Sequence, residues 1–269
     1  MVTECVTSGD KRKGLSKKES YLLSYLAENR KNIFALNDVV EVLDCNYENA
    51  KVIVDRLAKK KWIERIIRGK YLIVPLSAGV KGEYTEHEFI IASLFEPCYI
   101  AYWTALNYYG FTEQVPNRIF VATRKRVRDR EILGMDFKFI HGSEKKFFGI
   151  DSVLISNVRV KMSDKEKTIV DCLDKPKYCG GIGEIAKSIF FAKEELDLEK
   201  LTDYAIKMGN NAVIKRLGFI IDFLGLDSKN LVSKISDSYS ILDSTKEKTG
   251  RYDPKWKLLI NVSERELKW

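Results

Sequence analysis

The 269-residue sequence is poor in several residue types on which particular chemistries depend. Its two histidines, His87 and His141, stand far apart, so neither a zinc site nor a histidine-based catalytic pair is expected. The five cysteines, Cys5, Cys45, Cys98, Cys172 and Cys179, are odd in number, scattered and never in C-x-x-C spacing. That excludes a disulfide framework. No run approaches the ~20 apolar residues that span a bilayer. The first fourteen residues are polar and lack the apolar stretch of a signal peptide. Together these absences predict a cytoplasmic protein with no membrane segment. There is no G-x-G-x-x-G or P-loop, no internal repeat and no low-complexity segment. Glutamine occurs once, at Gln114. Such scarcity suits a heat-adapted protein, but twelve asparagines run against that idea.

What is present is an apolar fraction of 45%, enough for a real core, and a formal net charge of +8. The charge is uneven. Residues 1–82 hold 16 Lys and Arg against 10 Asp and Glu, a net of +6. Residues 83–269 hold 30 against 28, a net of +2. A local positive field attracts polyanions, so the first third of the chain is where a nucleic-acid contact is expected.

The order of elements in that third fits the charge. Ser16 and Glu19 have capping-box spacing and open a first helix, whose expected buried face is Tyr21, Leu22, Tyr25 and Leu26. Residues 36–43 form a second helical pattern, with Leu36, Val39, Val40 and Leu43 inward. Asp44-Cys45-Asn46 is a turn, and Asn46 caps a third helix. Ala50, Ile53, Val54 and Leu57 should face inward from it, leaving Tyr47, Glu48, Asn49, Lys51, Val52, Asp55 and Arg56 outward. Residues 62–74 alternate as a tight hairpin around Arg68-Gly69-Lys70. Helix, turn, helix and basic hairpin is the order of a winged helix-turn-helix, whose second helix reaches base edges and whose wing lies along phosphates. In this expectation Asn49 pairs with adenine and Lys51 or Arg56 takes guanine or phosphate. The interface comprises Lys17, Lys18, Asn46, Tyr47, Asn49, Lys51, Val52, Arg56, Arg65, Arg68, Gly69 and Lys70. The polar lead-in with Lys11-Arg12-Lys13 reads as a solvated tail, the alternative being a flexible arm that touches DNA backbone.

Ser77 to Gly82 is a small-residue linker. The expected domains are residues 1–78, the winged helix-turn-helix, and residues 83–269, a mixed α+β domain of mostly antiparallel strands followed by a helical cluster. In the second, Thr85 and Glu88 form a capping box, residues 99–109 read as a buried helix, and 119–123, 137–140, 147–150 and 157–161 as strands. Ser163 and Glu166 form another capping box, for a helix ending at Leu173. Helices are expected at 182–195, 198–208, 212–224 and 229–235, then late strands at 238–242 and 256–262.

Four blocks in this order resemble a known family. Residues 101–114, Ala-Tyr-Trp-Thr-Ala-Leu-Asn-Tyr-Tyr-Gly-Phe-Thr-Glu-Gln, resemble the S-x-W-S-A-L-x-x-x-G-L-T-E-Q segment of the AbiEi family. Ser163 through Asp171 is similar to its S-x-x-E-K-T-I-V-D block. Tyr178-Cys179-Gly180-Gly181 followed by Glu184-Ile185-Ala186 is similar to its Y-x-G-G-x-x-E-I/V-A loop and helix, and Arg216-Leu217-Gly218-Phe219 to its R-L-G-Y/F helix start. Gly69-x-Tyr71 and Pro75 also suit the family's N-terminal module. AbiEi proteins are antitoxins and autoregulators of AbiE-type toxin–antitoxin systems in viral defence. The resemblance implies an N-terminal domain that represses its own operon and a C-terminal domain that counteracts a nucleotidyltransferase-type toxin; two copies are expected to read an inverted repeat.

Within the second domain the spacing argues against catalysis. Glu166 and Asp171 are five apart on one helix, about 140° around its axis, and do not converge. Asp171 and Asp174 are expected to orient the loop at 175–181, and Gly180-Gly181 to make a tight turn rather than cradle a phosphate. Arg216, in an apolar helix, is expected to pair with Asp171 or Asp174; the alternative is a partner-facing surface with Lys175 and Lys177. Asp136 with Glu144-x-Lys146 has the letters of a D…E-x-K nuclease site, but Glu144 falls in a polar turn. The sequence thus predicts a non-enzymatic protein without metal or cofactor. Its rivals are a metal-dependent nuclease and a plain regulator whose second domain senses a ligand or dimerises.

Overall fold

The computed structural model describes residues 12–74, 88–132, 134–155 and 158–268. The chain divides into two compact units, residues 1–85 and 86–269. The expected linker, Pro75 and the Thr85 cap lie outside the described residues.

The first unit runs α1 (Lys17–Glu28), β1 (Ile33–Ala35), α2 (Leu36–Leu43), α3 (Tyr47–Lys59), β2 (Ile63–Ile67) and β3 (Lys70–Ile73). The strands form one antiparallel sheet in the order β1-β3-β2. The Ser16 capping box forms: the Ser16 amide donates to Glu19 at 2.6 Å and the Glu19 amide to Ser16 Oγ at 3.4 Å. Glu19 is drawn inside, 1% exposed, by Lys60 Nζ at 2.6 Å. This tie joins the first turn of α1 to the end of α3 and sets the helix face. The buried stripe is therefore Glu19, Leu22, Leu23 and Leu26. Tyr21 and Tyr25, expected inside, are 57% and 42% exposed, which keeps their hydroxyls in water. Leu22, Leu26, Phe34, Val39, Ala50, Val54, Leu57 and Ile63 make the core, with Ile53 packed at its edge.

The second unit is mixed α+β. Its main sheet has six strands in the order β6-β7-β5-β4-β9-β8. These are β4 (Cys98–Ile100), β5 (Arg118–Thr123), β6 (Arg130–Ile132), β7 (Met135–His141), β8 (Ile150–Ile155) and β9 (Val158–Ser163). Two neighbouring pairs, β5 with β7 and β4 with β9, are parallel, so the sheet is less antiparallel than expected. The expected helix over residues 99–109 is also corrected. Cys98, Tyr99 and Ile100 form an inner strand, wholly buried, and α5 (Tyr102–Tyr108) begins only after it. A short apolar run does not distinguish the two states; partners on both sides decide it. Residues 144–146 form a 3-10 turn and Ile150 begins β8, in place of a strand at 147–150.

The helices are α4 (Glu88–Ser93), α6 (Lys165–Asp174), α7 (Ile182–Ala192), α8 (Leu198–Lys207), α9 (Asn211–Phe223), α10 (Lys229–Val232) and α11 (Glu264–Leu267). A small sheet, β10 (Ser240–Ile241), β12 (Leu258–Ile260) and β11 (Arg251–Asp253), joins them. One core unites the large sheet, the helices and the small sheet, from Tyr99 and Phe120 through Ile169 and Ile185 to Leu217 and Trp256. The cap of α6 is Asp164, which accepts from the Lys167 amide at 2.7 Å, rather than Ser163. Ser163 is buried and its hydroxyl bonds Thr168 instead.

Candidate nucleic-acid interface

The outward side of α3 is open. Asn46, Tyr47, Asn49, Lys51, Val52 and Arg56 are all exposed. Asn46 Oδ1 accepts from the Asn49 amide at 2.8 Å, which caps the helix and leaves the Asn49 side chain outside. Asp44 takes the left-handed conformation, φ 45°, that turns the chain from α2 into α3. This helix side is not itself basic. Glu48 and Asp55 offset Lys51 and Arg56, and Lys51 Nζ is held by Glu48 at 2.8 Å and lies 4.8 Å from the Tyr47 ring centre.

The hairpin carries the denser positive charge, with Lys70 partly offset by Asp38. Arg65, Arg68 and Lys70 are exposed, and neither they nor Arg56 have an ion-pair partner among the described residues. Gly69 turns the hairpin at φ 77° in open space, where a side chain would strain the backbone but meet no neighbour. The register shifts between Arg65 and Ile67, a bulge that buries Ile66 while Arg65 stays outside. Lys17 and Lys18 are exposed at the start of α1. The lead-in is less tail-like than expected: Trp62 Nε1 donates to the Lys13 carbonyl at 2.8 Å, and Arg12 lies 5.0 Å from the Trp62 ring centre.

The residues expected on a partner surface of the second unit separate. Lys177 is exposed with its ammonium 4.9 Å from the Tyr178 ring centre, and Lys175 is half-buried. Arg216 is 5% exposed and cannot face a partner. Nor does it bond a carboxylate. Its nitrogens donate to the carbonyls of Leu242 (2.8 Å), Leu173 (2.7 Å) and Ile241 (3.0 Å). One of these belongs to the last turn of α6, which has no intrahelical donor left. Burial lowers the pKa of Arg216, while Asp174 and Asp243 nearby oppose that.

The acids of α6 are all engaged elsewhere than expected. Asp171 forms an ion pair with Lys167 and accepts from the Tyr99 hydroxyl at 3.0 Å; all three are buried. Burial raises the pKa of Asp171 despite Lys167. Glu166 accepts from the Asp197 amide at 3.0 Å and pairs with Lys200 at 2.7 Å, and Asp174 holds Lys146 at 2.6 Å and Asn210 at 2.8 Å. Gly180 and Gly181 make the tight turn, with φ 75° and 86°. A Cβ on Gly181 would come within 2.8 Å of Asp243, whose carboxylate already takes the Ile182 amide at 2.9 Å. The amide that a phosphate would use is thus occupied by the chain itself.

A D…E-x-K centre is not assembled. Asp136 pairs with Arg118 at 2.7 Å, Glu144 with Arg124 at 3.0 Å, and Lys146 with Asp174. Among the described residues no three His, Cys, Asp or Glu converge as metal ligands. One feature went unread in the sequence. Arg124, Lys125, Arg126 and Arg128, between β5 and β6, and Arg130, which opens β6, are all exposed, a run visible as five cations in seven residues.

Residues 21–74 match a family model described as a transcriptional regulator, AbiEi antitoxin. The family resemblance is to AbiEi, and this match bears it out. The AbiEi match begins in α1 and ends just after β3, so it takes in α3 and the basic hairpin. The AbiEi-like blocks of the second unit lie outside it. No curated protein matches the chain. A crystal structure of the RV2827C protein from Mycobacterium tuberculosis is similar over 97% of this chain and 97% of that one, with a TM-score of 0.73 at 13% identity. At that identity the likeness is one of fold. No helix of the described residues is long and apolar enough to cross a membrane.

Proposed function

We propose that the chain is a DNA-binding autorepressor and antitoxin of an AbiE-type system. The first unit is a winged helix-turn-helix: α3 enters a major groove, the hairpin β2–β3 is the wing, and Lys17 and Lys18 add phosphate contacts. Two copies occupy an inverted repeat in the chain's own promoter. The expected second domain, residues 83–269, counteracts a nucleotidyltransferase-type toxin in the cytoplasm, and no step of catalysis is required of it. One observation carries the DNA part. The exposed side of α3 adjoins a hairpin whose Arg65 and Arg68 form no ion pair among the described residues, and whose Lys70 is close enough to Asp38 only to feel its charge.

Because Glu48 and Asp55 offset Lys51 and Arg56 and leave α3 only Lys59 in excess, helix and wing divide the work. The helix supplies shape and hydrogen-bonding groups such as the Asn49 amide. The wing supplies the attraction to phosphate, which is sequence-independent and weakens with salt. A gel-shift titration with the DNA upstream of the gene, against a scrambled duplex of equal length, tests this. Retention of the upstream DNA at salt that releases the scrambled one is expected; equal retention overturns operator reading. For the antitoxin part, co-expression with the neighbouring nucleotidyltransferase gene should restore growth, and residues 83–269 alone should suffice. Unrelieved toxicity with the full chain overturns it.

A further inference from the structure

On the second unit, α9 and the segment from β11 to α11 line a half-open hollow of about 440 Å³. Phe219 and Phe223 of α9 form its accessible aromatic wall, backed by the buried Trp256, and Ile260, Val262 and Leu267 its aliphatic one. The wall is locked. Trp256 is 1% exposed; its indole N–H donates to Asp222 at 2.7 Å and its amide to Asp253 Oδ1 at 2.7 Å. Gly218 lets the ring approach α9, since a Cβ there would lie 2.1 Å from it. Asp222 also receives Ser228 and Lys255, so its carboxylate is fully committed. A second hollow of about 480 Å³ shares Phe223 and Leu267.

The rest of the polar rim is mixed: Lys255 is taken by Asp222, Glu264 lies 3.5 Å from Lys268, and Arg251 and Asp253 are less committed. Arg251 and Asp253 stand at i and i+2 on β11, on one side of the strand, and both line the hollow. The Arg251 guanidinium is exposed and has neither ion pair nor hydrogen bond among the described residues. Asp253 has used one oxygen on the Trp256 amide.

A fixed aromatic wall beside an idle guanidinium suits one kind of ligand. A flat ring displaces water from the wall, and a carboxylate fills the fork of the guanidinium. We propose that this hollow binds a small aromatic carboxylate through Arg251. Its volume is in the range of small-ligand pockets, about 300–1,000 Å³. Asp253 and Glu264 in the same lining disfavour a second negative charge on the ligand and favour an amino group. The site goes beyond operator binding and toxin neutralisation and gives the second unit a chemical input.

Isothermal titration of the intact protein with phenylacetate, L-phenylalanine and neutral phenylacetamide tests the site. At least one of the two acids should saturate, and the amide should bind about tenfold more weakly or worse. Arg251→Ala should weaken the acid about tenfold and leave the amide unchanged. Tighter L-phenylalanine would support the proposal and assign Asp253 to the ammonium group; tighter phenylacetate would support it on the carboxylate alone. Absence of saturable binding by either acid in the millimolar range overturns it. So does equal affinity for acid and amide, or an acid affinity untouched in Arg251→Ala.

Discussion

Thr112 Oγ1 donates to Glu184 Oε1 at 2.5 Å, and Gln114 Nε2 reaches the other oxygen at 3.2 Å. The segment after α5 is thereby fastened to the first turn of α7, 72 residues away. Thr112 is 6% exposed, so its hydroxyl has little access to water as a substitute. Thr112→Val keeps the shape and removes the donor. It should destabilise the second unit by about 1–2 kcal/mol, because a charge-assisted bond is lost and Gln114 only partly replaces it. In a thermal melt that is a fall of a few degrees, roughly 2–4 °C per kcal/mol for a unit of this size. An unchanged melting temperature would show the bond to be idle.

Asn49 and Arg68 should fail in different ways. Asn49 is an exposed amide on the outward side of α3, and Arg68 is an exposed cation beside the Gly69 turn. Asn49→Ala is expected to narrow the gap between operator and scrambled DNA by about 1–3 kcal/mol. Arg68→Ala should weaken both duplexes alike and lower the slope of log affinity against log salt by about 1. Identical patterns from the two variants in a salt-titrated binding assay would contradict the division between helix and wing.

Glu19 makes the first unit sensitive to acid. Burial raises its pKa, but hydrogen bonds from Lys60 and from the Ser16 amide and hydroxyl, together with the Lys60 charge, outweigh burial and hold it below its usual 4.5. A carboxylate depressed in the folded state contributes stability above its unfolded pKa and loses it as pH falls through the folded value. Denaturant midpoints of the first-unit transition should therefore drop as pH is lowered from neutrality through the carboxylate range. Glu19→Gln should be less stable at neutral pH and show a flatter profile there. A variant with the same slope as the parent would place the acid sensitivity elsewhere.

The parts legible in the sequence are those fixed by neighbours a few residues apart. Leu36, Val39 and Asn46 announce α2 and α3 through period and cap, and Gly69 announces the hairpin turn, because those signals are local. The exposed side of α3 follows from the same period. Pairing of Lys51 by Glu48 was available from its i,i+3 spacing. The rest depends on partners far along the chain. Tyr99 lies in a strand because β5 and β9 flank it. Glu19 rotates α1 because Lys60 stands 41 residues away, and Arg216 is buried because three carbonyls wait 25 to 43 residues away. Arg251 and Trp256 come together with α9 only through the small sheet, so no short motif announces that hollow.

The buried pair of Lys167 and Asp171 yields a prediction that separates structure from chemistry. Lys167 is 0% exposed, and its ammonium bonds Tyr99 Oη at 3.0 Å and lies 5.2 and 5.0 Å from the ring centres of Tyr99 and Phe148. With both charges desolvated, the pair's net contribution over an apolar replacement is small, whereas removing one partner strands the other. Lys167→Met alone should cost roughly 3–5 kcal/mol, and Asp171→Leu alone a comparable amount. Lys167→Met with Asp171→Leu should recover most of that loss, leaving chiefly the Tyr99 hydroxyl without its acceptor, about 1–3 kcal/mol. Urea unfolding of the four proteins gives the coupling energy directly. If both groups served a reaction, the double variant would refold yet lose function. As a structural pair, it should recover stability and toxin neutralisation together. Simple additivity of the two single losses would mean that the carboxylate and the ammonium do not depend on each other.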